Sequence, residues 1–129
     1  MRLQGIPASK ISIITTYNGQ RDLIADIVQQ RCASSGLYGT PAKIATTDKF
    51  QGQQNDFILL SLVRSNGTGK LGFTAVDNRV CVALSRARLG FFCACDLEML
   101  GAGSKLWATL QRHVRKESRS GAALPLQLA

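Results

Sequence analysis

Phe57-Ile58-Leu59-Leu60-Ser61-Leu62-Val63 is the stretch that decides the fold. A near-continuous apolar run of this length is the pattern of a strand covered on both faces, as in a parallel sheet. Upstream, Lys10 to Thr16 (KISIITT) is short and rich in β-branched residues, and Asn18-Gly19 follows it, which predicts a buried strand ending in a turn. From Gln20 to Cys32, Leu23, Ile24, Ile27 and Val28 recur at helical spacing as a stripe on one face. Lys43 to Thr47 is a second candidate strand. Downstream, Asn66 to Lys70 is a Gly-rich excursion, Asn78 to Ala87 predicts a helix, and Phe91 to Cys95 another strand. Ser104 is positioned to N-cap a last helix carrying Leu106, Trp107, Leu110 and Val114. Strands alternating with helices predict an α/β domain with a mostly parallel sheet and helices on both faces. Ligands of such sheets gather beyond the carboxyl ends of the strands. The polar clusters Tyr17 to Arg21, Asp48 to Asp56 and Arg64 to Asn66 are therefore expected to converge on one rim.

The 129 residues fit one domain, with 45% hydrophobic and 19% charged side chains, the balance of a folded globular chain. No apolar run reaches the roughly 20 residues needed to span a bilayer, and Met1 to Lys10 lack a secretory pattern. A cytoplasmic or nuclear location is expected. Net charge is +8, and residues 64–129 hold ten basic and four acidic side chains against six and four in residues 1–63. An anionic partner is therefore sought in the second half, although charge alone leaves a solvated basic surface open. Cys32, Cys81, Cys93 and Cys95 lack paired metal-ligand spacings, so no metal site is expected. Cys93 and Cys95 are expected as buried, reduced thiols on one strand face.

Three clusters carry chemistry. Tyr17-Asn18-Gly19-Gln20-Arg21 sets an aromatic ring and an arginine at the mouth of a helix, where anions are favoured. Asp48 to Asp56 packs seven polar side chains into nine residues before the most apolar strand. Asn78 to Arg88 sets Arg86 and Arg88 two apart, so on a regular helix they diverge by about 200° and cannot serve one phosphate together. Arg88 is then expected on the surface or in a salt bridge.

TTYNGQR, TTDKFQGQQNDFILLSLVRSN and NRVCVALSRARLGFFCACD, in this order and spacing, resemble helicase motifs IV, V and VI of superfamily 1. The branch is that of the nonsense-mediated-decay helicases, and within it the wording is most similar to the zinc-finger NFX-type helicases. The resemblance covers about residues 10 to 116, with 1–9 as a lead-in and 117–129 as a tail expected to be mobile. It implies a RecA-like P-loop NTPase fold, here a single lobe: the second motor lobe of an ATP-dependent nucleic-acid helicase. ATP and Mg²⁺ would be used only together with a first RecA-like lobe, in cis or in trans.

Carried over by position, Arg86 is the arginine finger and Arg21 the second phosphate-contacting arginine. Tyr17, Gln20, Gln51, Gly52 and Gln54 are implied on the nucleotide side, and Thr46, Arg64 and Asn66 on a single strand of RNA or DNA. The resemblance favours RNA, although these residue types carry no label separating RNA from DNA. Gln54 stands where many relatives have a carboxylate, so it offers a hydrogen bond without a charge. The sequence contains no G-x-x-x-x-G-K-[ST] phosphate loop, so ATP hydrolysis by this chain alone is not expected. A freestanding nucleic-acid or protein binding module, or a degenerate helicase remnant, remain as alternatives.

Overall fold

The structure, a computed structural model, describes residues 1–50, 52–62 and 77–121. Four strands, β1 (Ile11–Thr15), β2 (Lys43–Thr46), β3 (Asn55–Ser61) and β4 (Ala87–Ala94), form one sheet in the order β2-β1-β3-β4. Every neighbouring pair is parallel. The chain leaves β1 through helix α1 (Asn18–Arg31) to β2, returns past β1 to β3, and reaches β4 after α2 (Asp77–Leu84). Right-handed connections that step outward in opposite directions place their helices on opposite faces of the sheet.

The two faces are visible in the side chains. Ile14, Ile58 and Leu60 enter a buried cluster with Ala83 of α2 and with Met99, Leu100 and Trp107, which belong to α3 (Leu97–Gly103) and α4 (Lys105–Lys116). Ile13 and Leu59, one residue out of phase, line a cleft of about 350 Å³ together with Val28 of α1 and Cys32, which caps its carboxyl end. This is the α/β, parallel, single-lobe arrangement expected of a RecA-like fold.

Several boundaries and burials differ from the sequence expectation. Helix α1 begins at Asn18 with Tyr17 as its N-cap, so Asn18-Gly19 is its first turn rather than a separate one. Its apolar stripe is split: Ile24 and Val28 are half-buried, while Leu23 and Ile27 are exposed. Helix α2 stops at Leu84, and Ala87 already belongs to β4. The parallel ladder onto β3 captures residues whose spacing had suited a helix. Helix α3 has no counterpart among the expected elements; Asp96 caps it by accepting from Met99 N. Ser104 caps α4 as expected, accepting from Trp107 N.

The four cysteines are free, and Cys93 is exposed rather than buried, because β4 ends the strand order and lacks a neighbour on one side among the described residues. Its thiol hydrogen-bonds Cys95, which raises the Cys93 pKa above the ordinary thiol value and lowers that of Cys95. Of the tail expected to be mobile, residues 122–129 lie outside the described residues.

Candidate functional site

The carboxyl edge of the sheet carries the first group of polar side chains. Thr15 and Thr46 end β1 and β2 as register partners, with Ser61 of β3 alongside Thr15. Thr47 continues the contact by donating its N–H to Thr15 O at 2.9 Å. Thr15, Thr46 and Thr47 are all buried. The hydroxyls of Thr15, Thr16 and Thr47 have no hydrogen-bond partner within the described structure. A buried unpaired hydroxyl costs on the order of 1–3 kcal/mol, so three at one edge mark a place that water or a ligand completes.

Helix α1 opens beside them, with no side-chain cap and no acidic residue in its first turn. Its leading N–H groups lack intrahelical acceptors and carry the positive end of the helix dipole. Gln20 Nε2 reaches Ser61 Oγ at 3.4 Å, tying α1 to the end of β3. Arg21 is half-buried and bonded to its neighbour Asp22 at 2.6 Å.

The amino edge carries the second group. Arg86 occupies the turn between α2 and β4, where its main-chain O accepts from Asn55 N at 3.2 Å. Its Nε donates to Val82 O at 3.0 Å and its Nη1 to Gln53 O at 3.4 Å. Residues 33 apart in sequence are thereby joined, and Gln53 lies between Gly52 and Gln54. Gly52 holds φ +77°, a left-handed conformation that glycine adopts without steric cost. Gly52, Gln53 and Gln54 are exposed.

Asn55 anchors this edge. It is buried, and its amide donates to Ser12 Oγ at 2.9 Å and to Ser9 O at 3.2 Å. Beside it, Asp56 pairs with Arg88 at 2.9 Å and with Lys10 at 3.6 Å. Arg88 thus lies in the expected salt bridge, but on a strand and not on a helix. A register shift in the β3/β4 ladder between Asn55 and Phe57 separates its setting from that of Arg86.

The polar clusters therefore do not converge on one rim. The 47–54 connection starts at the carboxyl end of β2 and finishes at the amino end of β3, because parallel strands must be re-entered from the opposite edge. Thr46, Tyr17, Gln20 and Arg21 gather at the carboxyl edge, whereas Arg86, Gly52 and Gln54 gather at the amino edge. The six residue steps from Asn55 to Ser61 span about 20 Å of strand. Arg21 and Arg86 therefore enter from opposite edges of the sheet, a separation close to the combined reach of two extended guanidiniums and one phosphate. Gln51, Arg64 and Asn66 lie outside the described residues. Sequence reasoning missed the orphaned hydroxyls of Thr15, Thr16 and Thr47. The paired threonines at two strand ends were the available signal.

A family profile described as an AAA domain matches residues 1–98. The chain is 56% identical to RNA helicase aquarius of Mus musculus over 92 residues, 71% of this chain and 6% of that protein. The chain is a superfamily 1 helicase lobe. This helicase lobe is also 42% identical over 118 residues, 92% of its length, to NFX1-type zinc finger-containing protein 1 of Mus musculus, again covering 6% of that protein. Over 131 aligned residues, 97% of the lobe, it is 34% identical to Regulator of nonsense transcripts 1 of Caenorhabditis elegans and covers 12% of it. The relationship to both the NFX-type and the nonsense-transcript branches agrees with the wording of the three motifs. The lobe spans only a small fraction of each relative's length. No helix among the described residues is long and apolar enough to cross a membrane.

Proposed function

We propose that this chain is the second motor lobe of an ATP-dependent helicase in which the two sheet edges divide the work. The nucleotide belongs at the amino edge, where Arg86 is the finger that meets the γ-phosphate across the cleft from a first lobe. The observation that carries this reading is the bond between the Arg86 guanidinium and Gln53 O, which joins the SRA triplet to the Gly52–Gln54 segment. Phosphoryl transfer relies mostly on electrostatic stabilisation, and a positioned guanidinium is worth about 10³–10⁵ in rate. Gln51, Gly52 and Gln54 are proposed on the same side, with Gln54 offering an amide to the nucleotide.

ATP fits these residues in part: a cationic donor and an exposed, glycine-turned backbone suit a phosphate chain. Among the described residues no group of three His, Cys, Asp or Glu is placed to hold a metal ion. Mg²⁺ is assigned to the first lobe, as the resemblance implies.

The single strand belongs at the carboxyl edge, over Thr46 and the orphaned hydroxyls, with Arg64 and Asn66 following β3. Tyr17, Gln20 and Arg21, which the motif wording implied on the nucleotide side, are reassigned to the strand: Tyr17 to stack on a base, Arg21 and the α1 N-terminus to meet a backbone phosphate. RNA is favoured over DNA by the names of the relatives, one of which is called an RNA helicase. A cytoplasmic or nuclear location goes with that reading.

The deciding experiment uses the full-length helicase that carries this lobe. Arg86→Ala is expected to reduce strand-stimulated ATP hydrolysis by at least about 10³, while Arg21→Ala weakens single-strand affinity and leaves hydrolysis at saturating strand nearly intact. Unchanged hydrolysis in Arg86→Ala would sink the finger assignment. For the strand edge, affinity for single-stranded RNA should fall steeply with salt. Salt-independent binding, or hydrolysis lost in Arg21→Ala at saturating strand, would overturn the division.

A further inference from the structure

Gln53 is where three contacts of the amino edge meet. Its side-chain oxygen accepts from Lys43 Nζ at 2.7 Å. Its main-chain oxygen accepts from Arg86 Nη1 at 3.4 Å. Its N–H donates to Phe50 O at 3.1 Å. The Lys43 ammonium also lies 5.9 Å from the centre of the Phe50 ring, within range of the attraction between a cation and a ring face. Phe50 is 2% exposed and belongs to the main hydrophobic cluster, so it cannot shift freely. The Gly52–Gln54 segment thus has one fixed anchor, Phe50, and one clamp contributed by the first residue of β2.

Arg86 is the side chain that this segment holds. Its guanidinium is turned back onto two neutral carbonyls, Val82 O in the last turn of α2 and Gln53 O, instead of reaching away from the protein. Carbonyls at a helix carboxyl end lack intrahelical donors and carry partial negative charge, which makes Val82 O a natural resting place for a cation. The Gln53 carbonyl has no such inherent reason to be there. It is set by the path of an exposed, glycine-turned segment, which Lys43 grips through the Gln53 side chain.

We infer that Lys43 is a positioning residue for Arg86: by clamping Gln53 it places the carbonyl that keeps the Arg86 guanidinium retracted. This inference rests on the reading of Arg86 as the phosphate-contacting arginine. An anionic phosphate oxygen is a stronger acceptor than either carbonyl, so an arriving nucleotide draws the guanidinium off them. The retracted pose keeps the arginine ordered and close to its working position, and the exposed clamp yields without disturbing the core.

The test uses the purified chain and no nucleotide. Phenylglyoxal modification, read arginine by arginine by peptide mass spectrometry, reports how firmly each guanidinium is held. Lys43→Met should raise the Arg86 rate at least about threefold, in line with the loss of one net hydrogen bond, and leave the exposed Arg112 unchanged. Lys43→Arg should restore the original rate, because a guanidinium can still donate to Gln53 Oε1. Gln53→Ala removes the clamped side chain while keeping the carbonyl, and should match Lys43→Met; it serves if Lys43→Met loses its fold, which a parallel rise at every arginine would reveal. In the same series the NMR cross-peak of Arg86 Nε–Hε should broaden in Lys43→Met and Gln53→Ala and sharpen again in Lys43→Arg.

An unchanged Arg86 rate in both disruptive variants, or an equal rise in Lys43→Arg, overturns the clamp. Either result leaves the finger reading standing, since that reading is decided by hydrolysis in Arg86→Ala.

Discussion

Asn55 offers the sharpest quantitative test of how the amino edge is built. It is 7% exposed, and Ser12, which accepts its amide at 2.9 Å, is 2% exposed. A second bond runs to Ser9 O at 3.2 Å, and the Asn55 side-chain oxygen accepts from Asp56 N at 2.8 Å. Asn55→Ala removes all three. Two long-range bonds at about 0.5–1.5 kcal/mol each, plus about 1 kcal/mol for leaving the rotatable Ser12 hydroxyl buried without its donor, give a loss of about 2–4 kcal/mol. With a urea dependence of about 2 kcal/mol per molar for a domain of this size, the unfolding midpoint should fall by about 1–2 M. Asn55→Asp keeps the acceptor for Asp56 N but discards both donors and buries a charge, so it should be at least as destabilised. A double-mutant cycle with Ser12→Ala should return a coupling of about 1 kcal/mol. A midpoint shift below about 0.3 M for Asn55→Ala, or a stable Asn55→Asp, would refute the assigned bonds. Because Asn55 N also bonds Arg86 O, the resonance of the Ala87 amide, which shares a peptide unit with that carbonyl, should move in the same variants.

Three further outcomes follow from individual contacts. Asp96→Ala should cost about 1 kcal/mol in thermal unfolding through loss of the α3 cap, and Asn at that position should recover most of it. Gly90→Ala places a Cβ 2.8 Å from Phe57 Cδ1, so calorimetry should show a loss of about 1–3 kcal/mol that Phe57→Leu partly relieves. Cys95, its pKa lowered by the bond from Cys93, should be alkylated by iodoacetamide at lower pH than an ordinary thiol, with Cys93 reacting only at higher pH. Cys93→Ala should move the Cys95 profile back upward, and an unmoved profile would remove the thiol–thiol bond from the description.

Legibility varied with the kind of signal. The strand at Phe57 was readable because burial on both faces leaves an apolar run that few other settings tolerate, and β1 and β2 were readable from their β-branched residues. Capping side chains act locally, so Ser104 announced α4, whereas the short α3, capped by Asp96 and carrying two glycines, offered too little periodic pattern to be read. The end of α2 was misplaced because Ala83, Leu84 and Ala87 fit a helical stripe as well as they fit a turn into a strand, and only the ladder from Asn55 to Ala87 chooses between them. Cys93 was read as buried because alternation along a strand tells which residues share a face and not whether that strand lies at the edge of its sheet.

For the clusters that carry chemistry, the sequence by itself determined the parallel α/β class and, through three ordered motifs, the helicase family; both reside in local pattern and spacing. Which end of the sheet each cluster occupies was decided by tertiary structure alone. Every strand of a parallel sheet starts at the same edge, so a residue just after a strand and a residue just before one lie a strand's length apart however similar their motifs look. Arg21 follows β1 and Arg86 precedes β4. That difference of position sets the two arginines at opposite edges of the sheet, and it brings Arg86 to Gln53 and, through it, to Lys43.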